Sequence, residues 1–173
     1  MNKAIFLDRD GVINENTHYV NCIEDFHILP KVKEALILFK QAGYKIFVVT
    51  NQGGIEKGFI TREDVEEIHD YMIKELPEIM DFDYCPSYNS FGRKPNPGML
   101  YKLALNNEVF LGHSWMIGDM ATDVIAGIRA GCKTGLIVNK IEESIKVSGK
   151  VNIYADSLYD AAIQILTLEG FLL

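Results

Sequence analysis

Two carboxylates separated by one residue, Asp8 and Asp10 in the run Phe6-Leu-Asp-Arg-Asp-Gly-Val-Ile-Asn14, stand where an apolar segment, residues 4–7, abruptly ends. A strand that finishes this way presents both acids at its carboxyl end, where open α/β sheets place their ligands. Such a pair needs a cation. The chemistry it suits is metal-assisted attack by one carboxylate on a phosphorus centre while the other moves the proton. As a bare tetrapeptide, Asp-Arg-Asp-Gly is equally a turn, since Asp and Gly are favoured there for their backbone conformations.

Three later motifs bear on that choice. Phe47-Val-Val-Thr-Asn-Gln-Gly-Gly54 is a second apolar strand, residues 45–49, ending in a hydroxyl, two amides and two glycines. Thr50, Asn51 and the following backbone N–H groups suit a phosphate without adding charge, although strand-to-loop junctions also carry Thr and Asn as structural caps. Arg93-Lys-Pro-Asn-Pro-Gly98 sets two cations on a segment stiffened by Pro95 and Pro97. Lys94 there has the character of a positioned phosphate clamp, or of a lysine on a solvated loop. Trp115-Met-Ile-Gly-Asp-Met-Ala-Thr-Asp123 is another apolar strand ending in Gly118-Asp119, with Asp123 one helical turn further on. Asp119 is placed to complete a metal site; Asp119 or Thr122 is equally suited to cap the helix that follows.

The elements that must carry these motifs alternate. Apolar residues at Val32, Ala35, Leu36 and Phe39 predict a helix over residues 32–42, ended by Gly43. A second helix is predicted over residues 61–76, with Thr61 as N-cap and Asp64 completing a capping box, and a third over residues 97–106, with Pro97 near its start. Strands at residues 114–117, 134–138 and 151–155, a helix at 121–130 stopped by Gly131, and a last helix at 157–168 complete the pattern. Strands and helices in this order imply an α/β fold, a doubly wound, mostly parallel Rossmann-like sheet covered on both faces. Asp8 and Thr50 are joined through one helix, and Thr50 and Arg93 are separated by little more than a helix and a short strand. That leaves no room for a separate cap domain, so the site is expected to be open and edged by residues 15–29, 53–60 and 86–96. Residues 141–150, rich in Lys, Glu and Ser, read as a solvated connection.

At 173 residues with 48% hydrophobic content, one compact domain spanning residues 1–173 is expected. The formal charge of −7 disfavours a nucleic-acid partner. It still allows a small anionic substrate, because Arg93, Lys94 and a divalent ion can reverse the field locally. Cys22, Cys85 and Cys132 are odd in number and form no close pair, which argues against a disulfide framework. No apolar run approaches membrane-spanning length, and the first strand begins within three residues of Met1, leaving no room for a signal peptide. A soluble, cytoplasmic monomer with no membrane partner is expected.

Taken together, Asp-x-Asp-Gly-Val, Thr-Asn-Gln, Lys-Pro and Gly-Asp-x-x-x-Asp, in this order, resemble the haloacid dehalogenase superfamily over residues 3 to about 138. Within it, Asp8-Arg-Asp-Gly-Val-Ile-Asn14, Thr50-Asn-Gln-Gly-Gly-Ile55 and Arg93-Lys-Pro-Asn-Pro-Gly-Met-Leu100 are similar to the branch that contains heptose bisphosphate and histidinol-phosphate phosphatases. The resemblance implies that Asp8 is the nucleophile that forms an aspartyl-phosphate and that Asp10 is the acid and then the base. A carboxylate two residues after the nucleophile marks the phosphate-transferring members. Mg2+ is implied on Asp8, the backbone carbonyl of Asp10, and Asp119, with Asp123 behind them orienting Lys94 or a metal-bound water. Thr50 and Lys94 would stabilise the phosphoryl oxygens. Arg93 would grip the substrate, Asn16, Thr17, His18 and Tyr19 lie where substrate-contacting loop residues sit, and Asn51, Gln52 and Gly53 belong to the phosphate cradle.

The implied substrate is a small phosphorylated metabolite, heptose 1,7-bisphosphate before histidinol phosphate. A polynucleotide 3′-phosphatase is disfavoured by the acidic balance, and a non-catalytic binding module by the full set of site residues. The chain also departs from the branch. Members commonly carry a zinc loop, Cys-x-His followed by Cys-x-Cys, before Arg-Lys-Pro; here only Cys85 remains in Cys85-Pro-Ser-Tyr-Asn-Ser-Phe-Gly-Arg93. One thiolate cannot satisfy a structural zinc, so a shortened, zinc-free loop held by Pro86, Tyr88 and Phe91 is expected. Met120 stands where the heptose enzymes tend to have lysine, and Lys57 where arginine is usual.

Overall fold

The computed structural model describes residues 2–17, 19–138 and 141–171. Six strands form one sheet: β1 (Lys3–Leu7), β2 (Tyr44–Asn51), β3 (Asp81–Cys85), β4 (Trp115–Gly118), β5 (Lys133–Ile137) and β6 (Ile153–Ala155). Their order is β3-β2-β1-β4-β5-β6 and every pairing is parallel. The chain winds outward from β1 to β3, then crosses back to β4 on the other side of β1. That reversal opens a crevice at the carboxyl ends of β1, β2 and β4.

The strands read as continuous apolar runs because both faces are covered. Alternate residues divide between two cores. Ile5, Leu7, Ile46, Val48, Trp115 and Ile117 face one core, which they share with the helices α1 (Val32–Gln41), α2 (Arg62–Glu75) and α6 (Leu158–Leu168). Ala4, Phe6, Phe47, Val49 and Met116 face the other, against α3 (Gly98–Asn106) and α4 (Ala121–Ala130). Burying one such side chain fully stabilises the fold by roughly 1.5–3 kcal/mol. An exposed ion pair such as Lys102 with Asp83 gives about 0–1 kcal/mol. The two-sided core therefore fixes the strand register, and the register places the site: Leu7 pairs with both Val48 and Ile117, so Asp8 emerges level with Val49, two residues before the end of β2, and with Gly118, the last residue of β4.

The helices follow local signals. Thr61 caps α2 by accepting from the Asp64 N–H, while the Asp64 carboxylate accepts from the Thr61 N–H. Gly131 ends α4, and Pro97 is the residue before α3 rather than its first turn. The N-cap of α4 is neither Asp119 nor Thr122: Met120 occupies it, its N–H donating to Asp123 Oδ2 at 3.0 Å. Residues 141–150, of which 148–150 are exposed, are a solvated connection only in part. They contain a sixth helix, α5 (Ile141–Lys146), and Val147 is buried against Ala121, Val124 and Leu136. Glu143 is also buried and accepts from the Ala121 N–H at 2.7 Å, so an acidic side chain from α5 meets the positive end of α4. None of the three cysteines forms a disulfide. Among the described residues no helix is long and apolar enough to cross a membrane.

Candidate active site

The crevice at the carboxyl edge of the sheet is a cleft of about 470 Å³. Strand ends and short loops supply its wall. Asp8 and Asp10 follow β1; Thr50, Asn51, Gln52, Gly53 and Gly54 end or follow β2; Arg93, Lys94 and Pro95 precede α3; Asp119, Met120, Thr122 and Asp123 lie at the β4–α4 junction; Asn16 and Tyr19 come from the loop before α1. Thr17, expected beside them, is exposed and does not line the cleft. His18 lies outside the described residues.

Lys94 is the centre of the arrangement. Its side chain is 2% exposed, and Nζ sits 2.8 Å from Asp8 Oδ1, 2.6 Å from Asp123 Oδ1 and 2.7 Å from the Val49 carbonyl that accepts from it. Burial alone would discharge the amine, but the Asp123 and Asp8 carboxylates outweigh it and hold the ammonium above its ordinary range. The loop that carries Lys94 is itself clamped: Asn51 Nδ2 donates to the Lys94 carbonyl at 3.0 Å and Asn51 Oδ1 accepts from the Lys94 N–H at 3.0 Å.

Asp8, Asp119 and Asp123 are all buried, and each offers an oxygen within 4.8 Å of the others. Burial, opposed by Lys94 and reinforced by the charges of Asp123 and Asp119, pushes the Asp8 carboxyl up to about 7. Three carboxylates against one ammonium leave a local excess of negative charge, and hard oxygen donors in this grouping fit a divalent cation such as magnesium. Asp123 is the least available of the three, since Lys94 occupies Oδ1 and the Met120 N–H occupies Oδ2. Asp119 lies against the backbone of Gly11, where φ is +87° and an added Cβ would come 2.3 Å from Asp119 Oδ2; only glycine fits there.

Asp10 is held differently. Its carboxylate accepts from Arg9 Nε at 3.2 Å and Nη2 at 3.0 Å, from Asn14 Nδ2 at 2.9 Å and from Gln52 Nε2 at 3.1 Å. Burial pushes its pKa up, but Arg9 and the Asn14 and Gln52 bonds outweigh burial and leave it below the usual range. Arg9, fully buried, also donates to His69 Nε2 at 3.4 Å. An arginine can only donate, so His69 accepts through Nε2 in its neutral form; burial first, and Arg9 second, depress its pKa to about 3. Arg9, Asn14 and His69 were not singled out from the sequence as parts of the site. The available signal was spacing: Val65, Ile68, His69 and Met72 share the buried stripe of α2.

The amides of Asn51 and Gln52, expected to face a phosphate, are committed to protein. Gln52 Nε2 bridges Asp10 and Thr50 Oγ1, the latter at 2.9 Å, and the Gln52 N–H donates to the Cys85 carbonyl. Thr50 still has its hydroxyl proton to donate. In the shortened loop, Cys85 is buried and its Sγ contacts the Ser87 carbonyl at 3.3 Å. Tyr88 lies against Gly53 but is still 40% exposed, and Phe91, also expected to brace the loop, is 65% exposed.

A family model described as HAD-hydrolase-like matches residues 91–161. The D-glycero-β-D-manno-heptose 1,7-bisphosphate 7-phosphatase of Helicobacter pylori strain J99 is 36% identical over 147 residues, covering 80% of this chain and 84% of that protein. The D-glycero-α-D-manno-heptose 1,7-bisphosphate 7-phosphatase of Campylobacter jejuni is 38% identical over 143 residues, covering 80% and 83%. Among solved structures, the D,D-heptose 1,7-bisphosphate phosphatase of B. bronchiseptica, complexed with magnesium and phosphate, matches with a TM-score of 0.87 at 28% identity, over 96% of this chain and 99% of that one. With its parallel sheet and acid-lined switch point, the chain belongs to the HAD-like phosphatases, in the branch of the heptose 1,7-bisphosphate 7-phosphatases, and is a phosphoric monoester hydrolase.

Proposed function

We propose that the chain is a magnesium-dependent 7-phosphatase of D-glycero-D-manno-heptose 1,7-bisphosphate that works through an aspartyl-phosphate on Asp8. The observation that carries the reaction class is the Asp8 carboxylate at the end of β1, beside the buried Lys94 ammonium at 2.8 Å and grouped with Asp119 and Asp123. The names of the relatives support the substrate. They match to the same extent whether named for the α or the β anomer, so overall identity does not favour either.

In the first half-reaction Asp8 attacks the phosphorus, the bond from phosphorus to the sugar oxygen breaks, and Asp10 gives its proton to the leaving alkoxide. Asp10 rests as a carboxylate. A phosphate dianion arriving beside it is a like charge that favours the protonated form needed for this step. In the second half-reaction Asp10 takes a proton from water as that water attacks the phosphorus, releasing phosphate and restoring Asp8. Arg9, Asn14 and Gln52 hold the Asp10 carboxylate in one position for both transfers. Lys94 and the Thr50 hydroxyl meet charge on the transferring oxygens, the electrostatic contribution that is usually largest in such sites.

Asp8, Asp119 and the Asp10 backbone carbonyl would hold magnesium, leaving Asp123 to fix Lys94. When bound, the ion would supply positive charge that offsets the repulsion among the carboxylates and polarises the phosphoryl group. Arg93, Asn16 and Tyr19 would contact the rest of the substrate, while Asn51 and Gln52 act through Lys94 and Asp10 rather than by direct contact. The loop after Cys85 would need no zinc.

The test is a comparison of kcat/KM for heptose 1,7-bisphosphate, histidinol phosphate and a 3′-phosphorylated oligonucleotide. The bisphosphate is expected to lead. Histidinol phosphate ahead by about tenfold, about 1.4 kcal/mol of transition-state stabilisation, would overturn the substrate and leave the chemistry standing.

A further inference from the structure

Outside the catalytic cluster, the rim of the cleft holds an arrangement that the chemistry at Asp8 does not use. The Tyr88 ring is 4.1 Å from the Arg93 guanidinium carbon and 5.0 Å from Lys57 Nζ, so two cations from different loops converge on one aromatic ring. Arg93 lines the cleft, and Tyr88 and the exposed Lys57 lie just outside its lining. The ring lies flat enough on the backbone that a Cβ at Gly53 would come 2.7 Å from it, and the Tyr88 N–H donates to Glu56 Oε2 at 2.5 Å. Tyr88 thereby ties the loop after β3 to the loop after β2, with its position set from both sides.

Two like charges at one ring repel each other, in a chain whose net charge of −7 offers many acids with which they could have paired. Among the described residues, neither Arg93 nor Lys57 forms an ion pair with an acid. Arg93 Nη1 is buried and has no hydrogen-bond partner. A buried guanidinium N–H without an acceptor costs about 1–3 kcal/mol unless an acceptor arrives, and the favoured acceptor for a guanidinium is a bidentate oxyanion. The negative face of the ring offsets part of the repulsion and fixes the planar group without consuming its N–H donors. Contact with the Tyr88 hydroxyl holds Lys57 in its charged form.

We propose that Tyr88 is a positioning residue for substrate selectivity: it sets Arg93 and Lys57 at the rim of the cleft, where together they take an anionic group of the substrate remote from the phosphoryl being transferred. This rests on the reading of the substrate as a bisphosphate, and the anionic group is then the phosphate that is not hydrolysed. A single anion between two cations relieves their repulsion, so its binding recovers interaction that neither cation has alone. The selectivity is coupled through Tyr88: the ring face fixes Arg93, and the hydroxyl meets Lys57.

The experiment measures kcat and KM of the wild type, Tyr88→Phe, Tyr88→Leu, Lys57→Met and the double variant Tyr88→Leu/Lys57→Met, with heptose 1,7-bisphosphate and with p-nitrophenyl phosphate in magnesium. The ratio of the two kcat/KM values reads the selectivity. Tyr88→Leu is expected to lower that ratio about tenfold, mainly through the KM of the bisphosphate, and Tyr88→Phe, which keeps the ring against Arg93 and loses only the hydroxyl contact with Lys57, to cost no more than Lys57→Met. Lys57→Met should cost several-fold in the wild type and little once the ring is gone. Equal losses on both substrates with Tyr88→Leu, or Tyr88→Phe as damaging as Tyr88→Leu, would overturn the positioning role. A wild type with no preference for the bisphosphate would instead overturn the substrate reading, and this proposal with it.

Discussion

Asp8→Asn is the change whose consequences can be worked furthest from the structure. The side chain keeps its shape and its oxygen toward Lys94, but loses a charge that the buried cluster raises to a pKa of about 7. Below about pH 4 the carboxyl is protonated in both folded and unfolded chains and contributes nothing. As pH rises from about 4 to 7 the unfolded chain ionises while the folded chain keeps its proton, so stability falls, and above 7 the full cost is present. A carboxyl at about 7 instead of about 4 costs the folded state about 4 kcal/mol at pH 8. That value already contains the attraction of Lys94 for the carboxylate, so nothing further is to be subtracted for the lost ion pair. The expectation in chelator at pH 8 is therefore an Asp8→Asn protein more stable by about 4 kcal/mol, or roughly 8–16 °C in Tm for a chain of this length. The difference should fade toward pH 4.

Magnesium narrows the gap. At a concentration of about one hundred times its dissociation constant, an ion that binds only the folded wild type adds about 2.7 kcal/mol, which the variant forgoes. Thermal unfolding followed by circular dichroism, with and without magnesium and at two pH values, reads all of this, and phosphate release should be abolished throughout. An Asp8→Asn protein that is less stable than wild type in chelator at pH 8, or that magnesium stabilises as much as wild type, would refute the reasoning.

Lys94→Met leaves Asp8 and Asp123 buried without their shared cation, and in chelator it should destabilise by about 3–5 kcal/mol and abolish turnover, read by urea unfolding and phosphate release. Asp119→Ala should behave as a metal defect, with the activity curve displaced to higher magnesium; a titration that overlays the wild type would remove Asp119 from the ion. Glu143→Ala deletes the acceptor at the N-terminus of α4 and should lower stability by about 1 kcal/mol. Because that turn carries Asp119 and Asp123, the variant should also need more magnesium for half-maximal rate, which a loss of stability alone does not produce. Elemental analysis of protein purified without chelator should find no stoichiometric zinc, since the buried Cys85 stands alone in its loop.

Much of the fold was legible because each strand is buried on both faces and its residue pattern does not depend on which helix covers it. Ala4 to Leu7 and Phe47 to Val49 read as apolar runs whichever core they face. The strand ends were legible for the opposite reason: Asp8, Thr50 and Asp119 interrupt those runs with polar groups, and their recurrence at three strand ends is what separates a ligand site from ordinary turns and caps. The residues that support them were not. Arg9 looks like an exposed spacer between two acids, and only the turn of the chain after Leu7 carries it into the interior to meet Asp10 and His69. The composition of residues 141–150 is that of a loop because Glu143 spends its charge on a helix terminus distant in sequence. Asn51 and Gln52 carry the right groups for a phosphate, yet their bonds go to Lys94 and Asp10, a distinction that depends on side-chain direction and not on residue type.

The most direct test of the proposed function follows heptose 1,7-bisphosphate by phosphorus NMR during turnover by the magnesium-loaded wild type, with Asp8→Asn as control. The expected result is loss of the 7-phosphate signal alone, with the 1-phosphate retained in the product and no change in the control. Release of the 1-phosphate, or turnover by Asp8→Asn near the wild-type rate, would contradict it.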